Sequence, residues 1–305
     1  MQNVAEEAEV DMTAEEEVAD LERKLRVAKL RLSKQKQEDT ITTHGEIANT
    51  DSLGQLHYLL LLSDTALPLG SFAFSSGLES FLAHQPKHTH NSATFSRFLG
   101  LSLSSLAGLT LPYVVAGFES PARLDELDND FDASTTCTVA RRASVKQGRA
   151  LIAVWERSFR AQFSGENECS SRGLAALQAL RDFGTVLKTS PSSTDEFATF
   201  SPNGHLPPLF GVVCAALSMQ LGEVLYMYLF NHIKTIVSAG IRASVLGPYQ
   251  AQGVLASGSL RKRLNAIISE ELASPRSIAE AGQSVPMMDI WAGRHEIIYS
   301  RIFNS

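Results

Sequence analysis

Apolar residues recur at helical spacing along most of this 305-residue chain. Leu151, Trp155, Phe159 and Phe163 lie four residues apart, which places them on one face of a helix predicted over residues 139–163. No sustained two-residue alternation between hairpin turns is present, and strands do not alternate with helices. The pattern therefore predicts an all-α fold, with many helices in a single globular domain.

The first fifty residues differ from the rest of the chain. Residues 6–22 are acid-rich and residues 23–36 are base-rich, an order that suits the dipole of a helix. The apolar repeat in this segment covers too few heptads to predict a coiled coil. We therefore divide the chain into a charged extension over residues 1–50, partly helical or disordered, and an all-helical domain over residues 51–305 that ends in a distinct tail.

Two later segments carry signals of their own. Residues 189–204 are rich in Ser, Thr and Pro and predict a long loop. Helical spacing resumes over residues 209–246, with interruptions predicted near Gly222 and Gly240. Residues 206–221 are apolar, but a spanning helix needs about 20 apolar residues, so we predict a buried core helix and no membrane segment.

Composition limits the possible functions. The net charge of −6 argues against a nucleic-acid binder, which is usually basic. Cys137, Cys169 and Cys214 are odd in number and form no CxxC pair, so neither a disulfide framework nor a zinc knuckle is predicted. The acidic N-terminus is not a signal peptide. A reducing, cytoplasmic location is expected.

No catalytic or metal motif is complete. Gly70 to Gly77 resembles a phosphate loop, but Leu78 stands where that loop needs its Lys. His295-Glu296 begins like a zinc-protease helix, yet the second ligand position holds Tyr299. His84, His88 and His90 lie in a polar stretch, where an incidental surface linker is favoured over a metal-catching loop. We predict no catalytic residue, no metal site and no cofactor of its own.

The C-terminus is unusual because chain ends are commonly polar. Its large side chains are Arg294, Ile297, Ile298, Tyr299, Arg301, Ile302 and Phe303. Apolar groups interleaved with arginine are typical of interface anchors. The pattern equally fits a last helix docked on the protein's own core, and both interpretations stay open.

Five local patterns occur in order along the chain and together resemble the UreF family of urease accessory proteins. They are SDTALPLGSFAFSSGLE (63–79), RASVKQGRAL (142–151), HLPPLFG (205–211), SAGIRASVLGPYQAQ (238–252) and RHEIIYSRIFNS (294–305). The likeness covers residues 56–305, and the charged extension and the 189–202 loop outside it resemble fungal or plant members. The resemblance implies an all-helical homodimer without catalytic activity. Such proteins bind UreD (also called UreH) and the GTPase UreG, in a complex that delivers nickel to apo-urease.

The resemblance also suggests site residues. It implies that the tail and the N-terminal helical region help to bind UreD. The predicted UreD-binding or tail-docking residues are His295, Tyr299, Arg301 and Phe303, and Glu79 and Arg242 are further partner-binding candidates. Glu79 either presents its charge to a partner or only caps and solvates its helix. Pro68, Gly70 and Gly77 are predicted to shape the first turn through their backbone geometry.

The favoured function is a non-enzymatic scaffold that joins UreD and UreG, and two other functions compete with it. The second function is a GTPase-activating regulator of UreG, in which an arginine stabilises charge on the transferring phosphoryl group. Its candidates are Arg242, Arg261, Arg263 and Arg294. The third is an unrelated helical enzyme, which would need a ligand cluster that the sequence does not display.

Overall fold

The computed structural model describes residues 47–163, 170–189 and 202–304. The chain divides into two compact units, residues 1–54 and 55–305, and the fold described below is that of the second. The charged extension predicted over residues 1–50 lies almost entirely outside the described residues, as does most of the predicted 189–204 loop.

Helices account for the fold, and the described residues contain no β-strand, so the all-α prediction is confirmed. The α-helices are α1 (Ile47–Ser63), α2 (Leu78–Ala83), α3 (Ser92–Leu109), α4 (Leu111–Glu119), α5 (Leu124–Ser134), α6 (Thr138–Val154), α7 (Ser171–Thr189), α8 (Leu206–Ala216), α9 (Leu221–Arg242), α10 (Pro248–Leu255), α11 (Gly258–Ala273) and α12 (Met287–Arg294).

The core is built around α8, in which every residue from Pro207 to Ala216 is buried. This helix packs against α4, α6 and α7, so apolar side chains leave it in all directions. Its 11 residues are too few to cross a bilayer, which needs about 20. The buried core helix predicted from the sequence is confirmed.

The backbones of α4 and α8 touch directly. A Cβ atom on Gly211 would lie 2.2 Å from the carbonyl oxygen of Val114, and one on Gly117 would lie 2.4 Å from that of Pro208. Side chains do not tolerate such distances, so only glycine allows the two helices to approach this closely. The pair therefore sets the distance between two layers of the core.

A carboxylate binds the segment that leads into α8, including the capping residue His205. The buried Asp128 accepts hydrogen bonds from the backbone N–H groups of Asn203, Gly204 and His205 at 2.6 to 3.1 Å. Ser144 Oγ accepts from the Leu206 N–H at 3.2 Å. Because the first turn of a helix leaves its N–H groups without helical partners, a buried helix needs such acceptors.

One helical stretch of the described residues, Ser92–Glu119, is long and apolar enough to cross a membrane by length and composition alone. It consists of α3 and α4, which meet at Thr110, and 67% of its most apolar window is buried inside the protein. Core helices of soluble proteins pass the same test.

Helix boundaries differ from the predictions at three places. The interruption expected near Gly222 falls at residues 217–220, just before it, and the one expected near Gly240 falls at residues 243–247, just after α9 ends at Arg242. Gly240 itself stays in α9 and makes room for Phe95, whose Cε2 would lie 2.7 Å from an added Cβ. The long helix predicted over 139–163 is α-helical to Val154 and continues as a π turn and a 3-10 turn.

We expect opposite effects from two glycine substitutions. Gly211→Ala would push α4 away from α8 and lower the free energy of unfolding by about 3 kcal/mol. Gly253→Ala, in α10, meets nothing within 4 Å and should raise it by about 1 kcal/mol through chain entropy. Urea unfolding of both variants measures the difference. A Gly211→Ala protein as stable as Gly253→Ala would contradict the close approach.

Candidate functional site: the docked C-terminal tail

The turn before α2 brings the start of that helix against α12. Gly70 and Gly77 have φ angles of 71° and 86°, a left-handed conformation that favours glycine, and Pro68 lies in the turn that precedes them. A Cβ on Gly77 would lie 3.4 Å from the Ala292 backbone nitrogen, so α12 runs directly beside this turn. Glu79, the second residue of α2, consequently points into the protein.

The Glu79 carboxylate holds the C-terminal tail. Its Oε2 accepts hydrogen bonds from His295 Nε2 at 2.8 Å and from the Phe303 N–H at 3.1 Å, and its Oε1 accepts from the Ile302 N–H at 2.6 Å. His295 is fully buried, and its Nδ1 has no partner among the residues that the structure describes. The imidazole therefore donates from Nε2 to the carboxylate.

Two further contacts fix the tail beyond Glu79. The guanidinium of Arg242 lies 4.2 Å from the ring centre of the buried Phe303, a cation–π arrangement, and also donates to the Phe72 carbonyl. The Asn304 N–H donates to the Ala73 carbonyl at 2.8 Å. Of the two interpretations of the C-terminus, docking on the protein's own core is therefore observed.

The docked tail also presents apolar side chains to solvent. Tyr299 is fully exposed, and Ile297, Ile302 and the neighbouring Phe72 keep 73%, 62% and 66% of their surface exposed. We call these four residues the tail patch. Arg301 also lies at the surface, 3.9 Å from Glu296, which in turn pairs with Arg142 of α6.

The structure thus brings the six residues predicted to bind a partner into one region, in two groups. Glu79, Arg242, His295 and Phe303 make the contacts that hold the tail, whereas Tyr299 and Arg301 face solvent. Sequence reasoning missed Phe72, Arg142 and Glu296. Phe72 offered a signal, because a large aromatic residue is unusual in a short Ser- and Gly-rich turn.

The other sequence candidates lie apart from this region or are already occupied. His84 Nδ1 and His90 Nε2 bind the carbonyls of Ser80 and Leu82, while His88 is exposed. Across residues 47–163, 170–189 and 202–304, no group of three His, Cys, Asp or Glu residues is arranged to hold a metal.

The four candidate arginines differ in availability. Arg242 is engaged by Phe303 and the Phe72 carbonyl, and Arg263 donates to the Gly100 carbonyl at 2.8 Å. Arg261 and Arg294 are exposed and make no side-chain hydrogen bond or ion pair within the described chain. Only the latter two present a free guanidinium.

A partly open cavity of about 310 Å³ is lined by residues of α3, α6, α9 and α12. His232 of α9 faces it, and its Nε2 lies 2.7 Å from Ser102 Oγ of α3. Burial lowers the pKa of His232 to about 4, so the ring is neutral at pH 7. The cavity therefore presents a neutral imidazole and a hydroxyl in a mostly apolar wall.

Comparison with known proteins gives a consistent result. The family model named UreF matches residues 89–258. The chain is 37% identical over 256 residues to a protein of Schizosaccharomyces pombe named "Uncharacterized urease accessory protein UreF-like", covering 84% of this chain and 100% of that protein. It is 30% identical over 249 residues to "Urease accessory protein F" of Arabidopsis thaliana, covering 80% of this chain and 90% of that one.

A bacterial relative shows a similar extent of likeness. "Urease accessory protein UreF" of Cupriavidus taiwanensis is 29% identical over 263 residues, which cover 83% of this chain and 99% of that protein. The segment of this chain that matches the family model includes Arg242 but neither Glu79 nor the tail. Glu79 lies before the matched segment and the tail lies after it, and the two contact each other in the structure.

We expect Glu79→Gln to release the tail. Whichever way the Gln amide is turned, its NH₂ group faces an N–H donor, so at least one charge-assisted hydrogen bond is lost, worth about 1.5 to 3 kcal/mol. Hydrogen exchange of the Ile302 and Phe303 amides should accelerate at least about tenfold while helical content is unchanged. Glu126→Gln, at an exposed carboxylate, is the matched control. Unchanged protection in Glu79→Gln would show that the carboxylate does not hold the tail.

We expect His232 to make stability depend on pH. Its pKa is lower in the folded state than the ordinary 6.5, so the unfolded chain takes up the proton first and stability falls as the pH drops from 6.5 towards 4. Full burial corresponds to a loss of about 2 kcal/mol between pH 7 and pH 5. His232 keeps some accessible surface and faces the cavity, so we expect about 1 to 2 kcal/mol.

Unfolding curves at the two pH values check this expectation. His232→Gln should remove that part of the loss, whereas His88→Gln, at an exposed histidine, should leave it in place. An identical pH dependence in His232→Gln and the unsubstituted protein would rule out this histidine as its source.

Proposed function

This chain belongs to the UreF family of urease accessory proteins, and from that premise we propose that it is a non-enzymatic scaffold of urease maturation. It joins UreD (UreH) and the GTPase UreG in the complex that delivers nickel to apo-urease. A scaffold without a catalytic site acts through the surfaces that it presents to its partners, so its function has to be argued from a particular surface and not from the fold.

The tail patch is the observation that carries this proposal. Its apolar side chains are exposed on the docked tail and on the turn that the tail contacts, and the tail also exposes Arg301. Exposed apolar groups with arginine are enriched at protein interfaces. The contacts of Glu79 and Arg242 hold the tail in place before a partner arrives. A preorganised surface of this kind lowers the ordering cost of binding. We propose UreD as the partner that covers the patch.

The remaining features of the proposal concern the chain itself. Nickel is the cargo of the complex, and the chain needs no cofactor of its own. The protein acts as a homodimer in the cytoplasm. Support for a reducing compartment comes from Cys137 and Cys214, which are buried free thiols, and burial raises the pKa of Cys214.

A regulatory role towards UreG is the second candidate, and the free guanidinium groups of Arg261 and Arg294 favour it. An arginine supplied to a GTPase raises hydrolysis by about 10³ to 10⁵. If this role holds, GTP hydrolysis by UreG rises on mixing with this protein. That rise is then lost in Arg261→Ala or Arg294→Ala.

We expect Tyr299→Ala to weaken the complex with UreD at least about tenfold, since buried aromatic anchors contribute about 2 kcal/mol or more. Tyr299 is fully exposed in the free protein, so its removal should leave the fold intact. Tyr249→Ala, at a tyrosine of α10 that is 93% exposed, is the matched control. Co-purification of UreD and UreG with each full-length variant, followed by titration of the purified partners, measures the effect.

The outcomes separate the site from the function. If the unsubstituted protein binds neither UreD nor UreG, the scaffold proposal fails. If it binds both, and Tyr299→Ala binds as well as Tyr249→Ala, the scaffold stands and the tail patch is not its contact surface.

A further inference from the structure

A basic pocket of about 420 Å³ lies where the docked tail meets α6. Arg142 and Lys146, one helical turn apart on α6, form one side of it, and Glu296 and Arg301 of the tail form the other. Phe74, Val139 and Phe303 also line it. Four charged side chains from two separate segments therefore surround one cavity.

The charges of this basic pocket do not balance. Glu296 pairs with Arg142 and lies 3.9 Å from Arg301, so one carboxylate serves both arginines. Lys146 is exposed and makes no hydrogen bond or ion pair within the described residues. Among the described residues that line the pocket, three cations against one carboxylate leave two positive charges facing the cavity.

We propose that the basic pocket binds a phosphate group. A phosphate monoester carries about −1.5 to −2 charges at pH 7 and so matches the excess, whereas a carboxylate would neutralise only half of it. The planar guanidinium groups of arginine suit the geometry of phosphate oxygens, and lysine adds a point charge. The side chains of Arg142 and Arg301 are 58% and 42% exposed, so binding weakens as salt is added.

A bound phosphate has a structural consequence. Because its ligands belong to α6 and to the tail, it bridges the two segments and holds the tail in addition to Glu79. Because phosphate would bind only when the tail is docked, thermodynamic linkage requires that bound phosphate stabilises the docked tail. This inference goes beyond the scaffold function and does not depend on it.

Glu296 provides a test by the sign of its effect. It occupies the arginines in the free protein and repels an incoming anion, so Glu296→Gln frees both guanidinium groups. Phosphate binding should therefore tighten about fivefold in Glu296→Gln and weaken about fivefold in Lys146→Gln and in Arg142→Gln. If these residues had only a structural role, removing Glu296 would not tighten phosphate binding while removing Lys146 or Arg142 weakens it.

The experiment is a calorimetric titration of the full-length protein at low salt with inorganic phosphate and, separately, with GTP. Lys262→Gln, an exposed lysine of α11 outside the basic pocket, is the control and should bind as the unsubstituted protein does. Circular dichroism and hydrogen exchange of Ile302 verify that each variant is folded with its tail docked.

Each result decides the proposal. Binding of either probe supports a phosphate site as long as Lys146→Gln weakens it. Tighter or equal binding of inorganic phosphate indicates free phosphate as the ligand, and tighter binding of GTP indicates a nucleotide. The proposal is overturned if neither probe binds. It is equally overturned if Lys146→Gln and Arg142→Gln bind like Lys262→Gln, or if Glu296→Gln weakens binding.

Discussion

A helix that is buried on all sides must find protein acceptors for its first N–H groups, because water does not reach them. In α8 this requirement is met by two acceptors and two prolines: Asp128 accepts the N–H of the capping residue His205, Ser144 accepts that of Leu206, and residues 207 and 208 are prolines without an N–H group. Glycines at positions 117 and 211 let a neighbouring helix close on α8 from the side. The central helix is thus fixed at its N-terminus by Asp128 and Ser144, and at its contact with α4 by two glycines, one in each helix.

A second carboxylate, that of Glu79, also accepts backbone N–H groups, but from a part of the chain that is much further away in sequence. The donors are Ile302 and Phe303, which follow Glu79 by 223 and 224 positions. The beginning and the end of the folded unit therefore share one buried charge. If the tail left, the buried Glu79 carboxylate would lose its hydrogen-bond donors, which costs more free energy than breaking a surface ion pair. The tail is therefore part of the folded structure.

Periodicity predicted the helices because apolar faces repeat every three or four residues, and the buried α8 could be predicted from its length and composition. It placed element boundaries only to within a few residues, as at Gly240, which packs against Phe95 inside α9 while the interruption follows Arg242. The resemblance to a family pointed to the tail, but neither it nor the residue pattern decided between partner binding and docking on the domain. That Glu79 meets His295 depends on a contact across 216 positions, and no local pattern encodes such a distance. Lys146 and Glu296 look like ordinary solvated charges until the fold places them in one cavity.

The tail is anchored mainly through its backbone, and this has a consequence for how the chain can vary. Ile302 is bound through its N–H group, which every residue except proline supplies, so docking of the tail does not require a particular side chain there. The spacing is not free. His295 and Ile302 reach the same carboxylate, so residues 296–301 form a closed loop whose ends meet at one point. Insertion or deletion of a residue within that loop would disturb the anchoring far more than substitution would, so docking of the tail depends on the length of this segment more than on its composition.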